Sequence, residues 1–269
     1  MSADPALLAG DGRLRREWRL FLTAVQYFTR VPVPGWVGHS AEQLDGSARY
    51  FPAVGLCVGM VAAAVFAIAT IVWNPVLAAL LATGTTIVLT GAFHEDGLGD
   101  TIDGLGGGFT RERALEIMKD SRIGSYGTLA LLLVLGTKVA SLASLELVPA
   151  LLALPAAHAA SRWLATSVIW RSRYVRIDES SRAKPVTQSL STGGFVAASA
   201  WVIPPLAACA VASLPGVIAG LALAILVRTW LLRWFERRLG GYTGDALGAT
   251  QQFTELAFYL GWAAGWNWY

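Results

Sequence analysis

The sequence predicts an all-α integral membrane protein: a polytopic helical bundle of about seven transmembrane helices preceded by an amphipathic N-terminal helix. Hydrophobic residues make up 55% of the chain and charged residues 14%, whereas a water-soluble domain carries about a quarter charged residues. The missing charge comes from long stretches that contain none. Eleven Trp and seven Tyr supply the amphipathic rings that collect at lipid–water interfaces. The whole chain, residues 1–269, reads as a single membrane-embedded domain.

The first element is basic. Arg13, Arg15, Arg16 and Arg19 precede the short apolar run Leu20-Phe21-Leu22-Thr23-Ala24-Val25. With no small-residue cleavage site, this segment is expected to be an uncleaved helix lying on the membrane surface. A hydrocarbon core about 30 Å thick takes roughly 20 apolar residues of helix. The expected spans are 52–73, 75–93, 127–145, 149–170, 193–213, 215–235 and 253–269, the last ending in the aromatic run Gly265-Trp266-Asn267-Trp268-Tyr269. Cys57 and Cys209 sit in apolar runs with no second Cys or His at ligand spacing, so both are expected to be buried and inert.

Connections at Trp73-Asn74-Pro75, Glu146-Leu147-Val148 and Ser213-Leu214-Pro215 are tight and lack Lys and Arg. The alternate ones hold nearly all the positive charge: Arg111, Arg113, Lys119 and Arg122; Arg171, Arg173, Arg176, Arg182 and Lys184; Arg233, Arg237 and Arg238. Lys and Arg near span ends mark the cytoplasmic side. The loops 94–126, 171–192 and 236–252 are therefore expected in the cytoplasm.

The first of these loops carries the chemistry. In Phe93-His94-Glu95-Asp96-Gly97-Leu98-Gly99-Asp100-Thr101-Ile102-Asp103-Gly104, continuation of the second span's helix sets Asp96, Asp100 and Asp103 at i, i+4 and i+7, on one face. Like charges so placed repel by a few tenths of a kcal/mol per pair, so a cation is expected to offset them. Oxygen-only ligands point to Mg²⁺ or a similar hard ion instead of zinc. The plain alternative is a hydrated acidic loop. Gly97, Gly99, Gly104, Gly106, Gly107 and Gly108 weaken a helix and allow close backbone approach to a ligand, commonly a phosphate. Glu116 and Asp120, again four apart, offer two further carboxylates, while Lys119 and Arg122 are placed to meet phosphate oxygens. Acids for a metal beside bases for phosphate are the requirements of phosphoryl transfer. Asp245, Gln252 and Glu255 are polar groups at the mouth of the last span, in a glycine-rich loop able to wrap a ligand. Within the spans lie Lys138, His158, Arg162 and Arg228. His158 and Arg162 share a helical face and either line a pocket for an anionic ligand or pair with an acid structurally.

The run 93–104 together with Met118-Lys119-Asp120-Ser121-Arg122-Ile123-Gly124-Ser125-Tyr126-Gly127 resembles the signature of the cobalamin synthase (adenosylcobinamide-GDP ribazoletransferase) family. The resemblance extends to Phe28-Thr29-Arg30-Val31-Pro32-Val33-Pro34, Tyr50-Phe51-Pro52-Ala53-Val54-Gly55 and Gly240-Gly241-Tyr242-Thr243-Gly244-Asp245. It implies a Mg²⁺-dependent enzyme of the bacterial cytoplasmic (inner) membrane that joins adenosylcobinamide-GDP to α-ribazole, or its 5′-phosphate, and releases GMP. On that basis Asp96, Asp100, Asp103, Glu116 and Asp120 are the metal candidates, and Glu95, Asp96 and His94 the catalytic ones. Lys119, Arg122, Gly104, Gly107, Asp245 and Arg162 are the substrate-binding candidates. Expected partners are these small molecules and the lipid bilayer, with no nucleic acid and the oligomeric state open. A weaker similarity links Asp100-Thr101-Ile102-Asp103-Gly104 to the CDP-alcohol phosphotransferases, from which the chain departs in the spacing to Glu116 and Asp120. A multi-pass transporter is the alternative of a different class.

Overall fold

Helix boundaries follow local chemistry closely. The structure, a computed structural model, describes residues 12–175 and 187–266. Twelve α-helices are described: α1 (Arg13–Phe28), α2 (Ala41–Ser47), α3 (Phe51–Val72), α4 (Pro75–Thr90), α5 (Phe93–Gly107), α6 (Arg111–Met118), α7 (Ser125–Ala143), α8 (Leu147–Arg171), α9 (Thr192–Ala200), α10 (Ile203–Ala212), α11 (Leu214–Leu239) and α12 (Gly244–Trp266). Asn74 caps α4 by accepting from Leu77 N–H ahead of Pro75, and Ser213 caps α11 by accepting from Gly216 N–H ahead of Pro215. A side-chain acceptor at the cap and a proline in the first turn answer the orphan N–H groups that open any helix.

Helices α3, α7 and α11 are each long and apolar enough to cross a membrane; α4 with α5, and α9 with α10, form pairs bent by 90° and 42°. Helices α8 and α12 have the length of spans, but they carry the buried polar residues, including His158, Arg162, Gln251 and Glu255. The expected span 193–213 is thus broken near Trp201, and 75–93 ends at Thr90. The expected span 253–269 starts earlier than predicted, because α12 already begins at Gly244 within the segment read as a loop. Residues 267–269 of the aromatic terminus, and Arg176, Arg182 and Lys184, lie outside the described residues.

The basic segments gather at one end of the bundle. There Arg111 Nε donates to the Leu239 carbonyl, Tyr242 N–H to Arg173 O, Gln188 N–H to Asp45 and Arg30 N–H to Leu89 O. At the opposite end Trp262 Nε1 donates to Pro149 O. Helix α1 lies against the charged end with Leu20, Ala24 and Phe28 buried, while Leu14 and Trp18 on another face stay exposed. Cys209 is buried, its thiol against Leu152 O, whereas Cys57 is exposed on the outer side of α3, contrary to expectation. An apolar residue on a membrane helix has no need of a protein neighbour.

Glycines set the closest approaches. A Cβ at Gly55 would stand 2.3 Å from His158 O and one at Gly59 2.6 Å from Pro155 Cα, so α3 and α8 touch backbone to backbone. Gly216 and Gly220 on α11 face Gly265 and Gly261 on α12 in the same manner. Each pair is spaced by four, the arrangement that lets membrane helices pack without a hydrophobic driving force. Gly55→Ala is expected to lower stability by about 1–3 kcal/mol through overpacking, seen as a lower melting temperature in detergent. Gly84→Ala, where a Cβ meets nothing within 4 Å, should not lower it.

Candidate active site

The acidic segment forms a helix of its own. Helix α4 stops where Gly91 and Ala92 take left-handed backbone angles (φ 66° and 59°), and α5 leaves at 90°. A non-glycine residue in that region costs about 1–2 kcal/mol, held here by the surrounding packing. α5 therefore lies across the charged end of the bundle instead of extending the span. Asp96, Asp100 and Asp103 do share its helical spacing, yet their surroundings differ: Asp96 is exposed, Asp100 half-buried and Asp103 buried.

Asp103 is committed to structure. Its carboxylate accepts from Gly124 N–H at 2.7 Å and Gly127 N–H at 2.9 Å, capping α7 from a distant helix. A Cβ at either glycine would fall 2.4 Å from an Asp103 oxygen. The Gly124-Ser125-Tyr126-Gly127 run thus exists to let this carboxylate reach a helix N-terminus, where negative charge is favoured.

Several predicted residues meet in one polar cleft of about 430 Å³ at the α5–α6–α7 junction, lined by Asp103, Gly107, Glu116, Asp120, Arg122 and Tyr126 among others. Glu116 is exposed and paired with Arg113 Nη1 at 2.6 Å. Asp120 accepts from Arg122 Nη2 at 2.6 Å and from Arg122 N–H at 3.1 Å. Those bonds pull its pKa down to about 2 and raise that of Arg122. Lys119 is exposed beside them. Gly104 is not open to a ligand: a Cβ there would meet Met118 Cγ at 2.5 Å and Ala114 O at 2.8 Å. Gly97 similarly faces the Asp245 backbone, and Gly108 faces Ala114. Helix packing, not phosphate, explains these three, and the reason is the crossing of α5 over α6 and α12.

His94 and Glu95 turn inward. His94 stacks on Phe28 (ring centroids 5.3 Å apart, interplanar angle 15°), and Glu95 Oε1 accepts from Gln252 Nε2 at 2.8 Å. The second Glu95 oxygen is buried without a protein hydrogen-bond partner. Below it lies a network that the sequence reading did not assemble. Glu255, fully buried, receives Lys138 Nζ at 2.5 Å, His158 Nδ1 at 3.2 Å and Gln251 Nε2 at 2.5 Å. Arg162 Nη1 lies 3.2 Å from His158 Nδ1 and donates to His158 O at 3.1 Å. Arg162 and His158 therefore join a structural ion network, while Arg162 also lines a cavity with Gln251 and His94. The available signal was the face Gln251, Glu255, Tyr259 at i, i+4 and i+8 on α12, opposite the lone Lys138 of α7. Asp245 sits in the first turn of α12.

The profile of the family described as cobalamin-5-phosphate synthase matches residues 20–263. The chain belongs to this family. It is 49% identical to an adenosylcobinamide-GDP ribazoletransferase of Leptothrix cholodnii, covering 94% of this chain and 97% of that one. It is 45% identical to the one of Polaromonas naphthalenivorans (90% and 96% covered) and 47% identical to the one of Shewanella amazonensis (91% and 95%). No solved structure matches the chain.

For this cobalamin-5-phosphate synthase family member, the donor set is all oxygen, but among the described residues no three acidic, His or Cys side chains converge on one point. Asp96 is exposed and Asp100, one turn further along α5, is half-buried. A magnesium ion commonly takes one or two protein carboxylates and completes its shell with substrate phosphates and water, so this pair fits such an ion without a preformed cage.

Two outcomes follow from the geometry. Asp103→Ala should cost about 1–3 kcal/mol by orphaning two N–H groups, lowering the melting temperature well below that of Asp96→Ala. Glu255→Leu should cost about 3–5 kcal/mol, because it strands Lys138 in the core. Adding Lys138→Met to it should restore part of the loss in a double-mutant melting series.

Proposed function

We propose that the chain transfers the adenosylcobinamide-phosphate group from adenosylcobinamide-GDP to α-ribazole, or its 5′-phosphate, releasing GMP, with Mg²⁺ bound at Asp96 and Asp100. The observation that carries it is α5: a carboxylate-bearing helix laid across the mouth of an apolar bundle, with a cleft of acids and Arg122 at one end. The names of the relatives supply the substrates, and the residues supply the chemistry. A Mg²⁺ ion held there would neutralise diphosphate charge and stabilise the leaving phosphate.

The chain's own groups do the rest. A ring hydroxyl of the acceptor's ribose, free in both α-ribazole and its 5′-phosphate, loses its proton and forms a bond to the phosphorus bearing the cobinamide, and the bond to the bridging oxygen breaks, so that GMP departs with that oxygen. Glu95 is the fitting proton acceptor, since its free Oε2 adjoins Asp96 in sequence while Gln252 holds the other oxygen. His94, stacked on Phe28, shapes the wall beside it. Lys119 and Arg122 at the charged end offset phosphate charge, and Asp245 borders α5 through its backbone contact with Gly97. We place the charged end in the cytoplasm of a bacterial inner membrane, on the positive charge gathered there.

Purified protein in detergent should release GMP from adenosylcobinamide-GDP and α-ribazole only with Mg²⁺ present, and EDTA should stop it. Asp100→Asn should lower turnover on the order of a hundredfold, the scale of losing one preorganised electrostatic contact; wild-type turnover in that variant would remove Asp100 from the metal site. A single cysteine at Ser125 in a Cys57- and Cys209-free background should react with an impermeant maleimide only in inside-out vesicles.

A further inference from the structure

An open cavity of about 430 Å³ lies where α1, α2 and the first turn of α5 meet. That volume falls in the range of small-molecule sites, roughly 300–1,000 Å³. Its inner side is closed by the rings of Tyr27 and Phe93, packed edge to face with centroids 5.2 Å apart. The space behind those rings is about 30 Å³, room for a water and no more. Leu44 of α2 adds an apolar wall, and four polar side chains line the rest: Thr23, Gln26, His39 and Ser40. Two of these are engaged by the backbone. Thr23 Oγ1 donates to Arg19 O at 2.9 Å, and Ser40 Oγ accepts from Gln43 N–H at 3.1 Å. The other two meet each other, with Gln26 Nε2 2.8 Å from His39 Nε2. The amide keeps a second N–H and the imidazole a second nitrogen, so hydrogen bonding is concentrated at one point of a largely apolar cavity. Phe93, Asp96 and Asp100 stand at i, i+3 and i+7 on α5. The Phe93 wall and the two carboxylates proposed for Mg²⁺ therefore share one helical face.

We propose that this single cavity seats the base of the acceptor, with Gln26 and His39 at its ring nitrogen and its ribose directed along α5 toward Asp96. The assignment rests on the proposed function, which makes the acceptor α-ribazole or its 5′-phosphate. The benzimidazole base is flat and apolar and offers one free ring nitrogen as an acceptor. One hydrogen-bonding point among apolar and aromatic walls answers that inventory. Guanine does not fit it, because its edge carries several donors and acceptors, and those left unpaired against apolar walls are costly. The reach suits the reaction as well. Side chains one turn apart on a helix are separated by about 5–6 Å, a span that the ribose covers between a base at Phe93 and a hydroxyl beside Asp96.

Equilibrium dialysis of the full chain in detergent, without divalent metal, measures α-ribazole and GMP binding separately. Two variants at exposed positions address the cavity. His39→Phe keeps a ring on the rim and removes its nitrogens, and Ala41→Trp fills the space from the first turn of α2. His39→Phe should weaken α-ribazole about fivefold, the scale of one hydrogen bond, and Ala41→Trp about tenfold. GMP affinity and the melting temperature should stay at wild-type values in both. In turnover assays the KM for α-ribazole should rise by the same factors while that for adenosylcobinamide-GDP does not. Unchanged α-ribazole affinity in folded Ala41→Trp overturns the site. So does a loss of GMP affinity in its place, or failure of the wild type to bind α-ribazole. GMP release by wild type in any of those events leaves the proposed function standing. Acceptor binding that responds to both variants, without any GMP release, overturns the function and not the site.

Discussion

An apolar bundle that must carry charge depends on pairing that charge internally. Glu255 does this for three helices at once: its carboxylate takes Lys138 from α7 and His158 from α8, while Gln251 joins it from α12 itself. Water cannot stabilise any of these groups at that depth, so each ion is tolerable only with the others in place. The network thereby fixes the mutual positions of α7, α8 and α12. α5 rests on that platform, because Gln252, the next residue along α12, holds Glu95.

Glycine solves the complementary problem of approach. Lipid is as apolar as the helix faces, so burial gives little reason for helices to associate, and close van der Waals contact has to supply it. Gly55 and Gly59 bring α3 onto α8, and Gly216, Gly220, Gly261 and Gly265 close α11 onto α12. The same device recurs at the charged end for another purpose. Gly97 seats α5 on α12, and Gly124 with Gly127 admits the Asp103 carboxylate to the start of α7. The acidic helix is consequently a packed, capped element, with Asp96 on its exposed side and Asp100 half-buried.

Much of the fold was legible because membrane burial imposes composition directly. Apolar length marked α3, α4, α7 and α11, and Asn74-Pro75 and Ser213-Leu214-Pro215 marked two helix starts. The same logic missed the bend at Gly91-Ala92 and the break at Trp201, since hydropathy records how much apolar surface a segment has and not the direction its axis takes. The spaced glycine pairs were visible in the sequence too, but each gains meaning only from the partner it faces.

For the site, the sequence by itself determined the inventory: carboxylates at helical spacing in 93–104, flanking Lys119, Asp120 and Arg122, and the family to which the chain belongs. Those follow from residue identity and local periodicity. Only the tertiary structure decided how the inventory is divided. Asp103 goes to a helix cap, Glu116 to Arg113, Gly104 to a helix crossing, and His94 and Glu95 to the interior. The partners that make those assignments come from α1, α6, α7 and α12, and no local pattern in the acidic segment encodes which of them its bent helix will meet.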